Sequence, residues 1–320
     1  MPVTEPFQPT HQELAQLRRF NRRLAWLPRF RVRNRIAPLA LQMLLRMGQL
    51  GATARLGRRG VSVEQRRVSA DGVPVRVRII RPETSPVGVV LDFHGGGWVI
   101  GNAQMNDAFN VAMARECGLA VVSVDYRLAV LTPIEGLLDD CFAAACWLLG
   151  DDCEEFARLP VMVVGESAGG HLAAATLLKL KARPALFERI LGAVLYYGVY
   201  DLAGSASVRA AGPDTLVLDG PGMVDALRLL TPGLRDDERR QPPLSPLYGD
   251  FSGFPPALMF VGELDPLRDD TLGLAERWAQ AQLHVIPESP HGFIHFPTAM
   301  AQKVLGHARQ WMSERIHRPC

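Results

Sequence analysis

The feature that most constrains the fold is a series of short apolar runs that alternate with segments of helical period. Five runs without polar interruption cover most of 87–93, 119–124, 161–164, 190–196 and 257–261. Segments with helical spacing separate most of them, at 108–117, 137–149, 171–180 and 272–281. Strands that lack polar alternation are buried on both faces. The pattern therefore predicts an α/β fold with a mostly parallel central sheet flanked by helices.

The chain divides into three parts by pattern. Residues 1–60 are helical in period, with a capping-box spacing at Thr10 and Glu13 and a second apolar stretch at 36–50. Residues 61–320 hold the alternating strands and helices. Near the start of this part lie an Asp71-Gly72 turn and a strand at 73–79 in which apolar and polar residues alternate. A Gly-, Pro- and Asp-rich interruption at about 201–250, with one helical patch at 223–230, predicts an insertion over the carboxyl edge of the sheet.

The charge is concentrated in the N-terminal segment. Residues 1–60 contain 12 arginines against two glutamates, Glu5 and Glu13, a formal charge of +10. Because the whole chain carries +2, the remainder carries −8. We expect a solvated helical face and no nucleic-acid partner, with contact to phosphates or anionic lipid as the alternative. The apolar stretch at 36–50 is broken by Pro38 and Arg46 and is too short to span a bilayer, so no stable membrane insertion is expected.

The cysteines indicate neither a disulfide framework nor a zinc site. Their number, five, is odd, and no C-x-x-C occurs. Those at 117, 141 and 146 fall in helical apolar runs and are expected to be buried. Since the first ten residues also lack an apolar signal-peptide core, we expect a reducing, cytoplasmic location.

The strongest local motif is Gly165-Glu166-Ser167-Ala168-Gly169-Gly170, directly after the apolar run at 161–164 and before a helical run. A serine between a strand and a helix, flanked by small residues, is typical of a sharp turn that exposes its hydroxyl. The helix N-terminus beyond it favours developing negative charge.

A second motif, His94-Gly95-Gly96-Gly97-Trp98, ends another predicted strand. Three consecutive glycines can present backbone N–H groups to an oxyanion. A phosphate cradle is the competing interpretation, but no Gly-Lys-Ser/Thr follows.

Two further strand ends carry a carboxylate and an imidazole. Asp265 precedes Pro266 after the run at 257–261, and His291 follows a short predicted strand at 283–286. The order Ser167, Asp265, His291 is that of the α/β-hydrolase arrangement. The sequence leaves alternatives for both the acid and the base. Asp265 could instead be a helix cap. The other candidate histidines are His295, His171 and His94. The other candidate carboxylates are Asp269 and Asp270, at the start of the next predicted helix.

Together these motifs resemble the hormone-sensitive-lipase-like branch of the α/β-hydrolase serine esterases. The matching segments also include Tyr126-Arg127-Leu128 and Ser245-Pro246-Leu247 and span about 87–293. The resemblance implies an α/β-hydrolase fold with a helical cap, formed by residues 1–60 and part of the insertion. The residue roles it implies are nucleophile Ser167, base His291, orienting acid Asp265, an oxyanion hole of the Gly96, Gly97 and Ala168 N–H groups, and an apolar wall at Trp98.

The implied function is hydrolysis of a small-molecule carboxylic ester through an acyl-enzyme, with short- to medium-chain acyl groups expected. No cofactor or metal is expected, and a homodimer is the expected oligomer. An amidase, a lactonase or a deacetylase would use the same groups. A non-catalytic binding protein on the same fold is the alternative of another class, because a fold does not fix an activity.

Overall fold

The computed structural model describes residues 3–4, 7–32, 34 and 37–317. Glu5, Arg33, Ile36 and Cys320 therefore lie outside the described residues. Within the described residues the sheet has nine strands in the order β1-β9-β8-β7-β6-β4-β5-β3-β2. The strands are β1 (Val3–Thr4), β2 (Val61–Ala70), β3 (Val73–Pro82), β4 (Gly88–Phe93), β5 (Leu119–Asp125), β6 (Val161–Glu166), β7 (Ile190–Tyr196), β8 (Ala257–Gly262) and β9 (Ala281–Ile286).

The sheet is parallel except around β3, which pairs antiparallel with both β2 and β5. The predicted mostly parallel sheet is therefore confirmed. The five apolar runs form β4 to β8, and these central strands are buried along nearly their whole length. Asp71 and Gly72 both have positive φ and form the predicted turn, which joins β2 to β3.

Helices cover the sheet, and three of them lie in the N-terminal segment. The helices of four or more residues are α1 (His11–Leu24), α2 (Ala37–Gly48), α3 (Ala52–Leu56), α4 (Asp107–Cys117), α5 (Ile134–Leu149), α6 (Ala168–Leu180), α7 (Pro184–Phe187), α8 (Ala206–Ala210), α9 (Met223–Leu230), α10 (Asp236–Arg239), α11 (Arg268–Arg277) and α12 (Ala299–Ile316). The capping box of Thr10 and Glu13 begins α1, as predicted. No helix of the described part of the chain is long and apolar enough to cross a membrane.

The sequence-based prediction is wrong for one helix boundary and for the exposure of one arginine. The helix predicted at 272–281 runs instead from Arg268 to Arg277, because the backbone of Trp278 turns extended and its indole N–H donates to the Pro255 carbonyl oxygen at 2.7 Å. The alternation at 73–79 indicates a half-exposed strand, with Arg76 and Arg78 on its polar side. Arg78 is instead buried, because its guanidinium binds both carboxylate oxygens of Asp107 on α4, at 2.8 and 2.9 Å. The cysteines at 117, 141 and 146 are buried, as expected.

Candidate active site

The candidate residues lie on four loops at one edge of the sheet. The glycine motif follows β4, Ser167 follows β6, Asp265 follows β8 and His291 follows β9. These strands are parallel, so their carboxyl ends meet at the same edge, where open α/β sheets place their ligands. The strand order puts β6 between β4 and β7, at the centre of the sheet.

Ser167 occupies the sharp turn that the motif predicts. Its backbone has φ 55° and ψ −121°, a conformation that non-glycine residues rarely adopt, and it immediately precedes α6. The turn requires a bare backbone at Gly169, where a Cβ would lie 2.0 Å from the Phe93 carbonyl oxygen. Small residues therefore allow the serine turn to pack directly against the end of β4.

Ser167, His291 and Asp265 form a continuous hydrogen-bonded chain. The Ser167 Oγ lies 2.9 Å from His291 Nε2, and His291 Nδ1 lies 2.8 Å from Asp265 Oδ2. The other oxygen of Asp265 accepts the Leu267 backbone N–H at 2.9 Å. The Tyr197 ring packs edge-on against the imidazole, with 4.8 Å between centroids. The histidine is therefore fixed between a hydroxyl and a buried carboxylate, the geometry that serine nucleophiles require.

The rival histidines lie elsewhere. His171 is buried within α6, accepting the Trp98 indole N–H at Nδ1 and facing the Leu244 carbonyl oxygen at Nε2. Burial lowers the pKa of His171 to about 4. His94 stacks on the Tyr126 ring below the glycine motif. Neither imidazole is hydrogen-bonded to Ser167.

The rival carboxylates bind the inserted segment. Asp269 Oδ2 accepts the Ser207 backbone N–H at 2.9 Å. Asp270 is fully buried and accepts the backbone N–H groups of Tyr200 and Asp201 at 2.7 and 2.9 Å. Both lie in the first turn of α11, whose N-cap is Leu267. They anchor the start of the insertion rather than capping the helix.

The glycine motif is folded into a tight loop above β4. Gly96 has φ +102°, and a Cβ there would lie 2.2 Å from the Ile100 carbonyl oxygen. The Ile100 N–H donates to the Gly96 carbonyl oxygen at 3.1 Å. Gly96, Gly97 and Ser167 line the same cavity, and Ala168 is the first residue of α6. The arrangement can present backbone N–H groups beside the serine hydroxyl.

Glu166, which precedes the serine in the motif, holds this loop. Its Oε1 accepts the Gly95 N–H at 2.6 Å, and its Oε2 lies 3.6 Å from His295 Nε2. Although burial opposes the charged imidazole, the Glu166 carboxylate raises the pKa of His295. His295 thus pairs with Glu166 and lines the same cavity as Ser167, but it is not hydrogen-bonded to Ser167.

The serine opens into a mainly apolar cavity of about 900 Å³. Trp98 lines it and is held by the hydrogen bond to His171. The sequence named the two cap segments but not the residues that form the other walls. They come from the N-terminal segment and the insertion, chiefly Phe30, Val32, Val217, Met223, Leu227 and Leu230. Among the described residues, no group of three or more His, Cys, Asp or Glu side chains could hold a metal ion.

The two wall segments meet in a backbone bridge at Phe30. The Phe30 N–H donates to the Val217 carbonyl oxygen at 2.7 Å, and the Asp219 N–H donates to the Phe30 carbonyl oxygen at 3.1 Å. The Phe30 ring lies so close to Gly97 that a Cβ there would be 2.9 Å away. No periodic pattern signals such a contact, because it joins two irregular segments distant in sequence.

Comparisons with known proteins agree with this architecture. A family model described as the alpha/beta hydrolase fold matches residues 90–295. Carboxylesterase NlhH of Mycobacterium tuberculosis is 33% identical over 245 residues, which are 73% of this chain and 76% of that protein.

Solved structures give the same result over nearly the whole chain. Esterase LipW from Mycobacterium marinum superposes with a TM-score of 0.82 at 28% identity, covering 97% of this chain and 99% of that one. A hormone-sensitive lipase from a metagenome library gives 0.74 at 25% identity, covering 94% and 98%. The chain therefore belongs to the α/β-hydrolase-fold esterases, in the branch that resembles hormone-sensitive lipase.

Proposed function

We propose that the protein hydrolyses small-molecule carboxylic esters through an acyl-enzyme formed on Ser167. The observation that carries the proposal is the hydrogen-bonded chain from Ser167 Oγ through His291 to Asp265, which opens into the apolar cavity. Relatives and structural neighbours that cover most of the chain are named carboxylesterases and esterases.

In the proposed reaction, His291 Nε2 takes the Ser167 proton while Oγ attacks the ester carbonyl carbon. The N–H groups of Gly96, Gly97 and Ala168 would stabilise the oxyanion. The intermediate collapses, the alcohol leaves with the proton from His291, and the acyl group stays on Ser167. A water molecule, deprotonated by His291, then releases the carboxylic acid. Asp265 fixes the imidazole tautomer and stabilises its cation.

Residues 1–60 and the insertion at about 201–250 form the proposed cap, and residues 61–320 carry the catalytic loops. Phe30 and Leu227 from the two cap segments enclose the cavity over Ser167. An apolar cavity of this size supports short- to medium-chain acyl groups. The cytoplasmic location and the homodimer stay predictions from the sequence.

Replacing Ser167 by alanine tests the nucleophile. Ser167→Ala should abolish hydrolysis of p-nitrophenyl esters to a residual level of roughly 10³–10⁴ over water, because the oxyanion donors and binding remain. A fluorophosphonate probe should label Ser167 in the wild type, read by peptide mass spectrometry. Circular dichroism should match in the two proteins. Full activity in the variant, or faster cleavage of p-nitroanilides than of esters by the wild type, would overturn the proposal.

A pair of aspartates tests the orienting acid. Asp265→Asn should lower kcat by on the order of 10⁴, because an amide favours the wrong imidazole tautomer. The matched control is Asp269→Asn, whose carboxylate accepts the Ser207 N–H and is not bonded to His291. It should retain most of the activity on the same ester. A larger loss in the control would reassign the acid.

A further inference from the structure

Helix α2 turns a partly polar face toward the protein and its apolar face toward solvent. Its protein-facing stripe contains Pro38 and Gln42, both buried, and continues beyond the helix to the half-buried Gln49. Its outward stripe is apolar: Met43 is 68% exposed, and Leu44 and Met47 are each 64% exposed. Water-soluble surfaces normally show the reverse arrangement, and contiguous exposed apolar faces mark binding surfaces.

The inward polar residues explain why the helix keeps this orientation. The Gln42 amide accepts the Gly101 N–H at 2.7 Å and donates to the Gly101 carbonyl oxygen at 2.8 Å. The Gln49 and Asn102 amides exchange hydrogen bonds at 2.6 and 3.1 Å. Turning α2 over would leave the buried Gly101 backbone groups and the buried Asn102 amide without these partners, so the apolar stripe is held outward. We call this stripe, Leu39, Met43, Leu44, Met47 and Leu50, the outer face of α2.

The exposed residues on either side of α2 in the chain include one large aromatic side chain and many arginines. Trp26 is 90% exposed at the end of α1. Arg46 lies on α2 itself, and the exposed arginines of the adjoining segments are Arg19, Arg22, Arg23, Arg55, Arg58 and Arg59. Within the described part of the chain, ion pairs of this segment's arginines are formed by Arg18 with Glu288 and Arg31 with Asp219. Most of the described arginines of this segment therefore form no ion pair with another described residue and can face a partner's negative charge.

From this combination we infer that the outer face of α2 and its neighbouring arginines bind an anionic phospholipid surface. The apolar side chains would enter the acyl-chain boundary while the guanidinium groups contact phosphates, as in helices that lie along a membrane interface. The helix is too short to span. Binding of this kind does not depend on the proposed esterase activity.

Charge argues against a second copy of the chain at this face. A two-fold symmetric dimer places the same patch on both partners, which would bring arginine against arginine. A head-to-tail contact with the acidic remainder of another copy would be heterologous and would build rings or open filaments instead of a two-fold dimer. An anionic bilayer offers both an apolar phase and the opposite charge.

The position suits delivery of apolar substrates. Pro38 and Leu41 of α2 line a hollow of about 530 Å³ that shares Phe30, Arg31 and Val217 with the Ser167 cavity. The lipid-facing surface and the candidate site are therefore neighbours, separated by the Phe30 bridge.

Vesicle sedimentation of the full-length protein tests the inference. We expect binding to phosphatidylcholine vesicles that contain phosphatidylglycerol, little binding to phosphatidylcholine alone, and loss of binding as salt rises. Met43→Gln/Met47→Gln should weaken binding about tenfold or more, because two exposed apolar side chains lose their burial in lipid. Arg46→Glu should weaken it about tenfold.

Matched controls lie outside the surface. Leu131→Gln changes a leucine that is 80% exposed, and Arg67→Glu changes an exposed arginine on β2. Both should bind as the wild type does. Equal loss in the controls, or no binding to anionic vesicles, would overturn the inference. So would a dimer in light scattering that Met43→Gln/Met47→Gln converts to a monomer, because a second copy would then cover the face. Since the readout is binding, a failure of the esterase proposal would be seen separately.

Discussion

At the scale of single residues, Glu166 connects the serine turn to the glycine loop. It accepts the Gly95 N–H, one residue before the proposed oxyanion donors, and its second oxygen faces His295. A hydrogen bond to a carboxylate is stronger than one to an amide, so the charge should fix the loop. We interpret Glu166 as a positioning residue that acts through Gly96 and Gly97.

Replacing this carboxylate by its amide isolates the charge. Glu166→Gln should lower kcat about tenfold and leave KM nearly unchanged, because the donors of the loop matter mainly in the transition state. Steady-state kinetics on one p-nitrophenyl ester measures this split. Glu135→Gln, at an exposed glutamate of α5, serves as the control and should leave both constants unchanged. A rise in KM alone would mean that Glu166 shapes substrate binding instead.

The sequence motifs predicted which candidate side chains lie together at the end of the sheet. A strand end followed by a small-residue turn leaves few positions for a side chain, so Ser167, Asp265 and His291 could be named from the sequence, and the structure brings them together. Their roles stay predictions. The choice between His291 and His295 could not be made from spacing, because both lie on the loop after β9 and only the fold shows that His295 faces Glu166.

At the scale of elements, the hydrophobic pattern of the sequence predicted the buried central strands but missed strand β2 at the edge of the sheet. The buried central strands carry a strong apolar signal. Strand β2 was not predicted, because only Val61 and Val68 of its ten residues are buried. Helix α2 shows a deeper limit. Its period indicates two faces but not which of them turns inward, and here hydrogen bonds of Gln42 to Gly101 decide the orientation.

The bridge between the cap segments should set substrate length. Phe30→Ala removes a cavity wall, so the ratio of kcat/KM for long over short acyl chains should rise about tenfold. A series of p-nitrophenyl esters with increasing acyl length measures this ratio. Phe142→Ala removes a ring on α5 that does not line the cavity and should leave the ratio unchanged. An unchanged ratio in both variants would place the length limit elsewhere.

At the scale of the whole molecule, a buried imidazole links folding to pH. Burial lowers the pKa of His171 to about 4, against about 6.5 in an unfolded chain. Between these values the unfolded state binds more protons than the folded state, so the free energy of unfolding falls as the pH falls from about 6.5 towards 4. The effect of this one group is about 2 kcal/mol between neutral pH and pH ~5.

A difference measurement separates His171 from the other titrating groups. Urea unfolding of the wild type at neutral pH and at pH ~5 should show a loss of stability that is about 2 kcal/mol larger than in His171→Gln. The glutamine keeps an amide donor for the Leu244 carbonyl oxygen and cannot protonate. Equal losses in the two proteins would show that other groups govern acid sensitivity.

The two cap segments meet at Phe30 and Leu218, outside the turns that carry the reactive side chains. This separation affects how the protein can evolve. Ser167, Asp265 and His291 sit on turns fixed by the central strands, where few substitutions fit. The cavity walls come from segments that share little backbone with those turns. Mutations can therefore accumulate in the walls and alter selectivity while the reactive groups keep their spacing. This separation makes the chain a good starting point for directed evolution toward new esters.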